Sequence, residues 1–210
     1  TLSTMHGCPP DEIEAICRYM LEEKQLNTFV KLNPTLLGYP RVREILDTCG
    51  FDYIGLNVES FEHDLKIGQA LEMLTRLMAL AKSKQLGFGV KLTNTLGTVN
   101  NKGALPGDEM YMSGRALFPL SINVAAVLSR AFDGKLPISY SGGASQLTIR
   151  DIFDTGIRPI TMATDLLKPG GYLRLSACMR ELEGSDAWGL DHVDVERLNR
   201  LAADALTMEY

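Results

Sequence analysis

Histidine (3 residues), tryptophan (1) and long apolar runs are all scarce in this 210-residue chain. The longest weakly polar stretch, Met73 to Ala81, is interrupted by Thr75 and Arg76. It falls far short of the roughly 18–20 apolar residues that span a bilayer, so no membrane partner is expected. Basic residues are outnumbered, 21 Lys and Arg against 26 Asp and Glu, for a net charge of −5. An acidic chain does not recruit nucleic acid or anionic lipid. The four cysteines, at 8, 17, 49 and 178, form no Cys-x-x-Cys pair, which argues against a zinc or iron–sulfur site built from this segment alone. With no secretory signal in view, they read as reduced thiols, and the predicted location is cytoplasmic. Initiator methionine, basic leader and apolar leader are also missing before Thr1-Leu2-Ser3-Thr4. The sequence therefore reads as a piece of a longer polypeptide, beginning at or just before a strand.

What is present is a regular alternation of strand and helix patterns. Pro9-Pro10-Asp11 suits a helix entry, with Ile13, Ile16, Cys17, Met20 and Leu21 recurring at helical spacing. Apolar runs at 28–32, 53–58, 88–92, 138–141 and 159–163 predict strands. Helices are predicted at 41–49, 61–84, 117–132, 145–154, before Leu182 and at 193–206. The turn-rich stretch 93–115 is long enough to carry function. Counting the opening segment, these are about six β/α units, which predicts parallel strands with helices outside. The fold class expected is α/β, a TIM-type barrel lacking its first units, since a full barrel needs eight in about 250 residues. Residues 1–183 would form the barrel segment, and 184–210 a polar linker and helix packed on it, with Trp188 as an anchor. An open strand edge would invite self-association.

A repeat supports the barrel. Val30-Lys31-Leu32-Asn33-Pro34-Thr35-Leu36 resembles Val90-Lys91-Leu92-Thr93-Asn94-Thr95-Leu96, at an offset of 60 residues. With strand 53–58 between them, the repeats would occupy alternate strands and feed one interior layer, which sets Lys31 and Lys91 at equal height. Active sites of this fold class lie at the carboxyl ends of the strands. Those ends gather Thr4, His6 and Cys8; Lys31 and Asn33; Asn57 and Glu59; Lys91, Asn94 and Thr95; Ser139, Ser141 and Gly142-Gly143; and Thr161, Ala163 and Thr164. Glycines between a strand and a helix let backbone N–H groups approach an anion, so Gly142-Gly143 is a candidate phosphate loop. His63, Asp64 and His192 read as solvated.

Four segments carry a family resemblance: Lys91-Leu92-Thr93-Asn94-Thr95, Ser113-Gly114-Arg115-Ala116-Leu117-Phe118-Pro119-Leu120, Ser141-Gly142-Gly143-Ala144 and Thr161-Met162-Ala163-Thr164. Their spacing resembles the FMN-binding barrel of dihydroorotate and dihydropyrimidine dehydrogenases. The opening Thr-Leu-Ser-Thr-Met-His-Gly-Cys-Pro-Pro and Val-Lys-Leu-Asn-Pro-Thr-Leu-Leu-Gly look like a narrower group, the multidomain iron–sulfur flavoproteins described as selenate reductase subunits. The resemblance implies a flavin-dependent oxidoreductase segment, with FMN held by Lys91, Asn94, Thr95, Ser113, Gly114, Gly142, Gly143, Ala163 and Thr164. Lys31 would face the substrate, and Cys8 would be the nearest proton donor. The implied partners are a small-molecule substrate and other redox domains of the same polypeptide, where iron–sulfur clusters and FAD would reside.

An alternative is a barrel that has lost its cofactor and serves as a scaffold between redox domains. Asp165, placed where it would repel a phosphate, and Ala163, where the relatives carry glycine, favour that alternative.

Overall fold

In a computed structural model, residues 1–4, 7–103 and 105–210 are described. The expectation on His6 lies outside them. The strands are β1 (Leu2–Ser3), β2 (Thr28–Leu32), β3 (Phe88–Leu92), β4 (Leu96–Val99), β5 (Glu109–Met112), β6 (Ile138–Ser141) and β7 (Ile160–Thr161). The helices are α1 (Pro10–Glu22), α2 (Tyr39–Thr48), α3 (Val58–His63), α4 (Ile67–Ser83), α5 (Phe118–Ala131), α6 (Ile149–Asp154), α7 (Leu173–Glu181) and α8 (Val195–Asp204). Five strands make one sheet in the order β1-β2-β3-β6-β7, and every pairing in it is parallel. Parallel strands joined through helices, each neighbour following in chain order, are the building plan of a TIM barrel.

Strand register decides which residues meet water. Val30, Leu32, Val90, Leu92, Ile138 and Tyr140 share one face and are all buried. They form one core with Ile13, Cys17 and Leu21 of α1, Ala70, Met73, Leu74 and Leu77 of α4, and Phe118, Ile122 and Ala125 of α5. Helix α5 is buried almost all round because α8 covers its outer side with Leu198, Leu201 and Ala202. The terminal segment from 184 onward thus shares the main core, and Trp188 packs edge-on to Phe153 with ring centroids 4.7 Å apart.

Four expectations are corrected. The segment 53–58 is not a strand: Asn57 accepts a hydrogen bond from the Glu59 backbone and caps α3, which already begins at Val58. Gly55 further weakens any strand there, and β3 takes the place beside β2. The expected long helix 61–84 is broken at Asp64, whose ψ of 159° leaves the helical region. Asp64 is 4% exposed rather than solvated. Its carboxylate accepts hydrogen bonds from the Gly7 backbone (2.7 Å), Asn33 Nδ2 (3.1 Å) and Thr35 Oγ1 (2.7 Å), so burying it serves three partners at once. Finally, the helix after Gly142-Gly143 starts at Ile149 rather than near Ser145. The stretch 93–115 supplies instead the antiparallel hairpin β4–β5.

Candidate functional site

The second face of the sheet is polar. Parallel register puts Ser3 beside Lys31, Lys31 beside Lys91, Lys91 beside Ser139, and Ser141 beside Thr161. The two lysines therefore sit on adjacent strands rather than alternate ones. The expected equal height holds, for a different reason: direct pairing sets their backbones about 4.8 Å apart. Neither ammonium has an ion-pair partner among the described residues. Burial lowers the Lys31 pKa, and the neighbouring Lys91 charge lowers it further.

At the carboxyl ends of the strands, three loops enclose a cleft of about 170 Å³. Ser113, Gly114, Arg115 and Leu117 come from the loop before α5. Ser141 to Ala144 follow β6, and Thr161 to Asp165 with Lys168 follow β7. Lys31, Thr93 and Thr95 complete the lining. The Gly142-Gly143 loop packs closely against its own neighbours. A Cβ on Gly142 would lie 2.2 Å from Ser121 Oγ, and one on Gly143 would lie 2.5 Å from the Gly114 carbonyl oxygen. Gly143 also has a φ of +78°, which glycine adopts without strain. The loop is fixed from behind, where the buried Tyr140 hydroxyl donates to the Gly142 carbonyl at 2.8 Å. Burial of that phenol raises its pKa well above the usual value, so it stays a donor.

Asp165 is the one carboxylate in the lining, and it is neutralised. It is 5% exposed and receives Arg174 through Nε (3.0 Å) and Nη2 (3.2 Å), with Lys168 Nζ at 3.6 Å. The cleft thus carries the cations Lys31, Arg115 and Lys168 against one paired anion. Ala163 has a φ of −133°, which lies outside the left-handed region that favours glycine.

Among the residues singled out from sequence, Lys31, Thr95, Ser113, Gly114, Gly142, Gly143, Ala163 and Thr164 meet in this cleft. Lys91 stands beside Lys31 but outside the lining. Asn94, outside the cleft lining, donates to Asn33 Oδ1 at 2.7 Å and to the Thr4 carbonyl at 3.2 Å, and so ties these segments together. Cys8 lies apart from the cleft, half-buried near Ile13 and Thr4, where burial raises its pKa, with Glu12 and Asp11 adding to the shift. Lys168 and Arg174 carried no signal of their own in the sequence, and Arg115 stood in the Ser113–Leu120 segment without a role assigned to it.

An anion cradle at the C-terminal end of parallel strands is the ligand-binding arrangement of phosphate-handling TIM barrels. The whole of residues 1–210 matches the family described as "Oxidoreductase YgfK, N-terminal TIM-barrel domain", and the chain belongs to that family. It is 93% identical over 210 residues to the protein named "Putative oxidoreductase YgfK" from Escherichia coli K12, and equally so to its counterpart in Escherichia coli O157:H7. Each match covers 100% of this chain and 20% of the relative, so the chain spans about a fifth of the curated relatives' length. Among the described residues, no helix is long and apolar enough to cross a membrane.

Proposed function

We propose that this domain is the FMN-binding part of an oxidoreductase that reduces or oxidises a small unsaturated or heterocyclic substrate. The observation that carries this reading is the cradle, a glycine pair with no room for a Cβ, rimmed by Lys31, Arg115 and Lys168. Its donor set fits a phosphate monoester. Gly114, Gly142, Gly143 and Thr164 would hold the phosphate, with Arg115 and Lys168 offsetting its charge. A cavity of about 170 Å³ takes only the phosphate end of such a ligand. The ring would extend over the polar sheet face toward Lys31 and Lys91. Bound there, FMN supplies hydride and single-electron chemistry. The lysines favour negative charge on whatever lies above them, and the buried floor excludes water from that side. One feature that favoured a cofactor-free scaffold, the Asp165 charge, is offset by its pairing with Arg174.

Electrons would come from iron–sulfur and FAD domains elsewhere in the polypeptide. A selenate-reducing activity would draw on those parts too. The test is flavin extraction from the full-length protein, with FMN and FAD separated by chromatography. FMN is expected, and Gly143→Ala should remove it while leaving FAD in place. FAD alone in the wild type would sink the reading.

A further inference from the structure

The paired lysines offer chemistry that cofactor binding does not use. Lys31 combines three properties: it is half-buried, it lines an anion-attracting cleft, and it stands in register beside a second ammonium. A like charge alongside and partial removal from water both favour the neutral amine, which is the nucleophilic form. We propose that Lys31 is a covalent capture site for small phosphorylated aldehydes, whose phosphate docks in the Gly142-Gly143 cradle and whose carbonyl carbon meets the ε-amine. The step balances without a redox partner. The amine nitrogen bonds to the carbonyl carbon, and the carbonyl oxygen leaves as water with both amine hydrogens, giving an imine.

Burial and the Lys91 charge lower the Lys31 pKa, which supports this choice of lysine. Lys168, the other lysine of the cleft, is engaged by the Asp165 carboxylate at 3.6 Å, whereas Lys31 has no ion-pair partner among the described residues. Capture would occupy the cradle and so exclude a phosphate-bearing cofactor. The inference rests on the phosphate-binding part of the proposed function but not on the flavin.

The probe is pyridoxal 5′-phosphate, applied to the full-length protein at limiting concentration, followed by borohydride reduction and peptide mass spectrometry. Lys31 should be the predominant modified lysine, with at least tenfold more label than with pyridoxal, which lacks the phosphate. Inorganic phosphate should protect it, Lys31→Arg should abolish the label, and Lys91→Met should reduce it severalfold. Equal labelling of Lys31 by pyridoxal would overturn the proposal and remove support for the phosphate cradle as well. Labelling spread over surface lysines, or centred on Lys168, would overturn the proposal. If FMN still bound in that case, the proposed function would survive it.

Discussion

The two faces of one sheet have opposite characters. The covered face carries Val30, Leu32, Val90, Leu92, Ile138 and Tyr140, each at 1% exposure or less. The other face, one residue out of step, carries Lys31, Lys91, Ser139, Ser141 and Thr161. Parallel sheets are normally covered and apolar on both sides. Here a single residue of phase separates the groups that hold the domain together from the groups proposed to bind, and a lysine pair persists on the second face although it repels itself. Stability and binding should therefore respond to different substitutions.

The largest expected contrast is between neighbours in one strand. Leu92→Ala should cost about 2–5 kcal/mol in chemical denaturation, whereas Lys91→Ala, one position earlier, should leave stability unchanged or slightly raised. Comparable losses at both would erase the distinction between the faces. Next comes the cradle. Gly143→Ala forces a Cβ to within 2.5 Å of the Gly114 oxygen at a φ of +78°. A strain of about 1–3 kcal/mol and at least tenfold weaker binding of FMN should follow, measured by denaturation and by flavin fluorescence. Arg174→Ala leaves the buried Asp165 with only Lys168 nearby, which should cost about 1–3 kcal/mol and weaken phosphate binding. An unchanged affinity would mean that Asp165 does not face the ligand.

The smallest effect has a defined sign. The folded-state pKa of Lys31 lies below its ordinary value of 10.5. Below that lowered pKa the penalty for holding the charge is fully present. Between the two values the unfolded chain binds the extra proton, so stability rises with pH. Lys31→Met should therefore raise the melting temperature at neutral pH, and its advantage should fade as pH approaches 10.5. Cys17, pushed up to about 12 by burial and by Glu14, acts in the opposite direction. Its contribution is lost as pH rises above 9.0, so the Lys31 comparison should be made in a common Cys17 background.

Much of this was legible from residue order. The glycine pair and the turn-rich segment follow from local pattern, whereas the levelling of Lys31 with Lys91, expected from alternate strands, holds through direct pairing instead. The intervening strand was misread because Tyr53-Ile54-Gly55-Leu56 has strand composition, while Asn57 caps a helix and takes the next residues away from any sheet. Asp64 was misread because an amphipathic helix pattern hides a carboxylate whose partners, Gly7, Asn33 and Thr35, are distant in sequence. Asp165 looked hostile to phosphate for the same reason: its neutralising Arg174 lies on a different turn of the chain, beyond Gly170-Gly171. Periodicity reports which side of an element is apolar, but it says nothing about which distant charge will meet another.

Hydrogen exchange on the full-length protein, with and without FMN, addresses the phosphate cradle most directly. The account predicts that FMN slows exchange in three separated stretches, 113–117, 141–144 and 161–168, and leaves α1 and α8 unchanged. Protection confined to other domains, or absent from all three stretches, would contradict it.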